Sequence, residues 1–420
     1  MVLDLPPGTA FGLDTSTFLT GPQFRGVKMI PPGCHWISTH ASSRAANTNP
    51  PSIPGGGHFA PVVSTAVHLQ PKQVVVFQWI REEEALRVIH NPQIALAART
   101  PDWDIALAPY DFGRWATWTS LSGHVSARTV DRLLPVGGQI CILSEEDPAD
   151  YRAPTEREKV LAAALANGRR EGDDHDSIYT DARATTTTRL PDGSAAQTTS
   201  SCTTPHGPRC KYTNLPRLRR QALAHAATTS PYALYLDQSP VLRRLLAELD
   251  PDTHFEALGE MQFAFVAFLM GQSMDGFQQW RAWVELVLQC DDAMLGDLGD
   301  WVAEALLVLS RQLSAIGSGG TASAARYHRR GVDETGVEGM GPTLLDDVLG
   351  EGLAGARSFL RPRMAGLFES LVESAADVSP PLAKAAKELK GVVRQVLGWD
   401  MDVELLGGED GPVVVWGDMG

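Results

Sequence analysis

Apolar residues follow three different rhythms along this chain. Up to about Gln78 they come in short runs rich in β-branched residues, His35 to Thr39, Pro61 to Leu69 and Gln73 to Trp79, bounded by Gly and Pro. That is the pattern of strands. Within the stretch Gly8 to Trp36, Gly8, Gly12, Gly21, Gly26 and Gly33 alternate with Pro22, Pro31 and Pro32, which forces turns at short intervals. Phe11, Phe18, Phe24, Val27, Met29, Ile30 and Trp36 can pin those turns to a core. Helical pieces are predicted at Pro92 to Arg99, Gly113 to Trp118 and Ser126 to Leu134, with a final strand at Gln139 to Leu143. Residues 1–148 therefore read as an antiparallel β-sandwich or barrel with a few helices and a Pro/Gly-rich loop at Asn47 to Gly57.

The second rhythm is an absence of one. Residues 149–210 are polar and low in complexity, with Glu171 to Asp176, Thr185 to Thr188 and Ser194 to Thr204 the extreme stretches. Such composition cannot bury enough surface to order itself, so this is a linker, with one isolated helix at most over Tyr151 to Asn167. The third rhythm is helical. Ser239-Pro240 caps a helix with Leu242, Leu245, Leu246 and Leu249 on one face. Met261 to Met270 is apolar except for Gln262, as a helix buried on every side would be. Phe277, Trp280, Trp283, Val284, Val287 and Leu288 form the stripe of the next. Asp300 is placed to cap a helix carrying Trp301, Ala305, Leu309, Leu313 and Ile316; Leu344 to Ala376 is helical with a break near Pro362. Ser379-Pro380 opens a last helix that Gly398 stops. The predicted fold class is thus α+β multidomain: a mostly-β N-terminal domain, an all-α domain over 211–400 with an insert at 317–341, and an extended tail over 401–420.

Composition narrows the function. At 43% hydrophobic residues the chain can bury real cores, and 420 residues suggest two domains. The net charge of −14 argues against the nucleic-acid backbone as main ligand. Five scattered cysteines without a CxxC pair suit a reducing compartment. Asp4 and Pro6-Pro7 stand where a signal peptide needs a basic, then apolar, start, and no apolar run reaches the ~18 residues of a membrane span. The expectation is a soluble, intracellular protein with no membrane partner.

Candidate chemistry is sparse. Cys34, His35 and Asp14, with His40, His58 and His68 nearby, are what a thiol- or metal-dependent hydrolase would use. Adjacent strand residues face opposite ways, however, so Cys34 and His35 are expected to point apart. Asp173 to Asp176 reads as a solvated charge run, and Cys202, His206 and Cys210 offer only three ligands at no standard zinc spacing. The expectation is no cofactor and no metal. Arg209, Lys211, Arg217, Arg219 and Arg220 form the one basic stretch, and Tyr212 could stack on a base. Docking on an acidic surface is preferred, with direct RNA binding secondary. Trp115-Trp118 and Trp280-Trp283 are core pairs by default, although exposed tryptophans among the ten could mark a docking surface. In the tail, Pro412, Val413, Val414, Val415 and Trp416 follow a Gly-rich leash and suit strand addition to a partner's sheet.

Ordered blocks run the length of the chain: GTAFGLD with GPQFRGVKMIPPG, APYDFGRWATWTSLSGHVSARTVDRLLP, KYTNLP, YLDQSPVLRRLL, LGEMQFAFVAFLMGQ, then Trp399-Asp400 and PVVV. Together they resemble the Aar-two family of splicing factors. The motif residues carrying the resemblance include Gly12, Asp14, Phe24, Arg25, Gly26, Lys28, Pro31, Pro32, Gly33, Glu260, Gln262 and Phe263. The resemblance implies a VHS-like helical domain and a non-catalytic assembly chaperone of the U-five small nuclear ribonucleoprotein. Its implied partner is the Prp-eight scaffold, at its RNase-H-like and Jab/MPN domains, with helicase and RNA engagement delayed. The VHS likeness also admits a trafficking adaptor. A kinase acting on Ser177, Thr185 to Thr188, Ser194 or Thr198 to Thr204 is the expected release signal.

Overall fold

The computed structural model describes residues 1–40, 62–90, 93, 103, 105–141, 209–226, 237–249, 254–317 and 358–402. Strand β5 (Gly33–His40) is the centre of the N-terminal region, and nearly every residue in it is buried. It pairs antiparallel with β6 (Val63–Leu69) and with β2 (Ala10–Leu13). β2 turns through Asp14 and Thr15 into β3 (Ser16–Leu19), and β10 (Ile140–Cys141) closes the other edge, giving a five-stranded sheet of order β10-β6-β5-β2-β3. β1 (Val2–Leu3), β7 (Val76–Ile80) and β8 (Ala85–Ile89) form a second sheet, and β4 (Val27–Lys28) pairs with β9 (Ala108–Pro109).

The mostly-β reading of this region holds, with three corrections. β1–β7 and β4–β9 are parallel, so the region is not purely antiparallel. The β2–β3 hairpin lies inside a stretch read as punctuation, because its turn has Asp14 at positive φ (54°) where a hairpin signal would have Gly or Asn. β8 follows Glu82 to Glu84 with no Gly or Pro to announce it; Glu84 takes the positive φ (48°) instead. Of the predicted last strand only Ile140 and Cys141 pair within the described residues, and the Pro92 to Arg99 helix falls mostly outside them.

The two faces of the central sheet have different partners. Phe11, Leu13 and Ile37 share a core with Val2, Phe77, Trp79 and Leu86 of the second sheet. Cys34, Trp36 and Ala66, on the opposite face, belong to a larger core shared with the helices. Those helices begin with α1 (Trp115–Ser122) and α2 (Ala127–Leu133), the second opened by a reciprocal Ser126–Thr129 capping box. Past the linker come α3 (Leu215–Ala226), α4 (Ser239–Leu249), α5 (Phe255–Gly271), α6 (Met274–Val287), α7 (Asp291–Leu295), α8 (Gly299–Gly317), α9 (Leu360–Glu373) and α10 (Pro380–Leu397).

α5 is buried over its whole circumference, as its composition required. α1, α2, α4, α6, α8 and the strands β5, β6 and β10 all pack against it. Burying each of Phe263, Phe265 and Phe268 contributes ~1.5–3 kcal/mol. α10 begins as expected, Ser379 accepting from the Leu382 amide at 3.4 Å with Pro380 at the first position, and ends at Gly398 in the left-handed region. Elsewhere the caps differ from expectation. Asp237 Oδ1 accepts from both the amide (2.9 Å) and the hydroxyl (2.6 Å) of Ser239, and that hydroxyl accepts from the Ala293 amide at 2.8 Å instead of from an amide of α4. Asp300 lies inside the first turn of α8, where its charge favours the helix dipole without capping. The break expected near Pro362 is present: Ser358 and Phe359 are non-helical, α9 starts at Leu360, and Pro362 sits in its first turn, where no intrahelical N–H bond is needed. The linker 149–210 up to residue 208, the insert 317–341 from residue 318 and the tail 401–420 from residue 403 lie outside the described residues.

The described residues of the N-terminal region and of the helical region belong to one compact unit. The helical half and the β-rich half are therefore in direct contact.

Candidate functional site

Two buried carboxylates organise the motif residues. The first is Asp14, held in the left-handed region at the β2–β3 turn and 3% exposed. Its Oδ1 accepts from the Trp36 amide at 2.9 Å; its Oδ2 accepts from the Tyr110 hydroxyl at 2.6 Å and lies 2.8 Å from His35 Nδ1. His35 Nε2 faces the Pro31 carbonyl at 2.7 Å. A carbonyl oxygen only accepts, so Nε2 carries a hydrogen and Nδ1 shares its proton position with Asp14. The ring is wholly buried, stacked on Trp115 at 5.9 Å.

The rest of the N-terminal motif builds the walls of this node. Phe24 closes an aromatic triad with Phe11 and Phe18 at 5.3 and 5.4 Å. Arg25 pairs through its backbone with Val2 and Ala106, and the Lys28 carbonyl accepts from the Tyr110 amide at 3.0 Å. Gly26 has φ of 127°, and a Cβ there would lie 2.9 Å from Met1 Cα, so a side chain is excluded on both counts. Gly12 sits in β2 opposite Ser38, and Pro31, Pro32 and Gly33 lead into β5.

The second carboxylate is Glu260 on α5, fully buried. Its Oε1 accepts from the Thr213 amide (2.9 Å), Gln279 Nε2 (2.7 Å) and, longer, Trp283 Nε1 (3.4 Å). Its Oε2 accepts from Arg132 Nη1 and Thr213 Oγ1, both at 2.7 Å. Arg132 lies on α2, Thr213 just after the linker, Gln279 and Trp283 on α6. One carboxylate thus joins four parts of the chain.

Its neighbours on α5 repeat the pattern. Glu256 accepts from Ser126 Oγ (2.5 Å) and Thr129 Oγ1 (3.0 Å) at the start of α2. Gln262 Oε1 accepts from the His124 amide at 2.7 Å, and Phe263 meets Trp36 edge to face at 5.8 Å. Gly259 lets the backbones approach: a Cβ there would fall 2.5 Å from the His124 carbonyl oxygen. The conspicuous helix motif is a joint with the N-terminal region.

The thiol reading meets a different geometry. Cys34 and Trp36 face the helices while His35 faces the second sheet, so thiol and imidazole point apart as strand alternation requires. Burial, then the charge of Asp14, pushes the Cys34 thiol well up, away from the reactive thiolate. Burial, then Asp14, likewise raises the Tyr110 phenol. Among the described residues no group of three or more His, Cys, Asp or Glu side chains is arranged to hold a metal ion. None of the described helices is long and apolar enough to cross a membrane.

Tyr212 does not offer itself to a base. It packs on Phe263 at 6.4 Å, and burial raises its phenol well above the usual value. Arg209 pairs with Asp275 at 3.5 Å, so the basic stretch docks in part on this chain's own acidic surface. No tryptophan among the described residues is exposed, which removes them as docking markers: Trp118 donates to the Cys34 carbonyl at 2.8 Å and Trp280 to Gln312 at 2.8 Å. Pro412 to Trp416, Asp173 to Asp176, Cys202, His206 and the linker serines and threonines fall outside the described residues. Sequence reasoning passed over Tyr110, Arg132, Thr213 and Gln279, the partners of the two carboxylates. The first three lie inside the quoted blocks, but nothing in spacing told which acid each would meet.

Residues 1–135 match the family described as AAR2 N-terminal domain, and residues 212–402 match the AAR2 C-terminal repeat region. The chain is 30% identical over 300 residues to Protein AAR2 homolog of Homo sapiens, covering 70% of each. The Protein AAR2 homologs of Mus musculus and Caenorhabditis elegans are each 28% identical, over 303 and 298 residues, covering 70% of this chain and 70% and 72% of theirs. One matched segment holds the Asp14 node and the other the Glu260 joint, so this chain belongs to the AAR2 family.

Proposed function

We propose that this chain is a non-catalytic splicing factor that chaperones assembly of the U-five small nuclear ribonucleoprotein. It does so by covering the Prp-eight scaffold until later components arrive. Membership of the AAR2 family, whose function is splicing-related, is the first support. The observation that carries the non-catalytic part is what Cys34 and His35 are doing. The one buries its thiol among the helices, and the other has both ring nitrogens engaged by Asp14 and Pro31. Neither is left to a substrate.

The net charge of −14 supports a partner surface that is basic, such as one destined for RNA. Competitive occupation then delays RNA and helicase without any reaction. The tail residues Pro412 to Trp416 are the segment proposed to add a strand to the scaffold, and phosphorylation of the linker is the proposed release signal. The working compartments are nucleus and cytoplasm. Affinity purification of the tagged full chain, followed by mass spectrometry, tests this reading. Recovery of the U-five scaffold at near-equal amounts, lost on deletion from Pro412 onward, is expected; its absence from the eluate would overturn the reading.

A further inference from the structure

Helix α10 carries a charge opposite to that of the chain. Lys384, Lys387, Lys390 and Arg394 stand against a single acid, Glu388, in a protein whose net charge is −14. At 3.6 residues per turn the four cations fall within about 120° of the helix circumference. Leu382, Ala385, Leu389 and Val393 occupy the buried side. The outward face is therefore a cationic stripe.

The chain itself covers half of that stripe. Past Gly398, which takes the left-handed region, Asp400 pairs with Arg394 at 3.1 Å and Asp402 pairs with Lys390. Trp399 and Met401, which alternate with these acids, are buried. Moving from 400 to 402 shifts the contact from position 394 to position 390, so the chain doubles back along α10 toward its start. Lys387 and Lys384 are the next cations on that course, about one and two turns farther. Both are exposed, and neither side chain has a partner among the described residues.

The sequence beyond supplies matching groups. Residues 403–420 hold Glu404, Glu409, Asp410 and Asp418 and no Lys or Arg. Lys390 and Lys384 lie ~9 Å apart along the helix axis. The stretch from Asp402 to Glu409 spans ~10 Å if helical and ~23 Å if extended, so its acids reach both lysines in either form.

We propose that the cationic stripe of α10 is the docking surface for this chain's own residues 403–410, with Glu404 on Lys387 and Glu409 or Asp410 on Lys384. Exposed ion pairs are individually weak and screened by salt. Tethering makes these pairs intramolecular and raises their effective concentration to the ~mM range. Pro412 to Trp416 are thereby kept beside α10 by contacts that a competing surface breaks one at a time. The docking does not depend on the splicing reading. That a scaffold takes the released segment does, so the test uses the free full chain alone.

Carbodiimide joins carboxylates to amines that touch, and mass spectrometry of the digested chain reads the pairs. Lys390 with Asp402, in contact in the structure, is the internal control. Links from Lys387 to Glu404 and from Lys384 to Glu409 or Asp410 are expected within one chain, as mixing isotope-labelled with unlabelled protein shows. They should fall severalfold at about 1 M salt. Lys384→Glu combined with Lys387→Glu, both at exposed positions, should keep the melting curve. A glutamate-specific protease should then cut after Glu404 and Glu409 about fivefold faster. Adding Glu404→Lys and Glu409→Lys to that variant should restore a link between the same positions. Absence of the expected links while Lys390–Asp402 is recovered would overturn the proposal. So would links from the two lysines to other acids or to a second copy, or links indifferent to salt. Cleavage at the original rate in the Lys384→Glu, Lys387→Glu chain would equally overturn it.

Discussion

Asp14 and Glu260 are both buried carboxylates satisfied by donors, yet they do different work. Asp14 ties its hairpin turn to β5 and to Tyr110, all within the N-terminal region. Glu260 draws donors from α2, from Thr213 after the linker and from α6. One fixes the shape of a region; the other fixes two regions to each other. Buried polar groups stay in place only when fully paired, and pairing that spans the chain makes separate parts cooperative.

Removing each acid in turn should have the largest effect. Glu260→Ala strands five donors, Arg132 among them, and should cost ~5 kcal/mol, the upper end for breaking a buried pair. Urea unfolding should then show the N-terminal and helical regions melting in separate steps. Asp14→Ala strands three donors and should cost ~3 kcal/mol, but with the transition kept single. Two transitions from Asp14→Ala, or one from Glu260→Ala, would reverse the roles assigned to the two acids.

Gly259→Ala sharpens the same contrast without touching a charge. Its Cβ meets the His124 carbonyl, a backbone group that cannot swing aside. The expected loss is ~1–3 kcal/mol, read by thermal melting. An equal change on the open face of α10, Gly391→Ala, meets nothing within 4 Å and should be neutral or slightly stabilising.

The smallest effect expected is on pH. His68 takes up a proton less readily than the ordinary value of 6.5, chiefly through burial and then the positive field of His35, with Asp131 opposing. The unfolded histidine is therefore the better base, unfolding binds a proton, and stability falls as pH drops below 6.5. His68→Gln should flatten that part of the melting-temperature profile; a profile unchanged by the substitution would mean that other groups set the slope.

Much of this was legible before the structure. The strand runs, the all-round apolar α5 and the opposed faces of Cys34 and His35 follow from period and composition alone. The hairpin and β8 did not, because Asp14 and Glu84 adopt positive φ without the glycine that would announce it. Pro362 was informative, since the helix that carries it starts two residues earlier, after non-helical Ser358 and Phe359. The site was half legible. Glu260, Gln262 and Phe263 stood out as a motif, but a motif does not say whether its partners lie inside the chain or outside it. Arg132 and Thr213 are 128 and 47 residues away from Glu260, a separation that periodicity cannot bridge.

The joint at Glu260 makes the N-terminal and helical regions one folding unit. Expressing residues 1–145 and 207–420 together as separate chains, without 146–206, tests it directly. The expected result is a one-to-one complex on size exclusion with a single melting transition, lost in the Glu260→Ala pair. Two segments that purify apart, each melting cooperatively by itself, would contradict it.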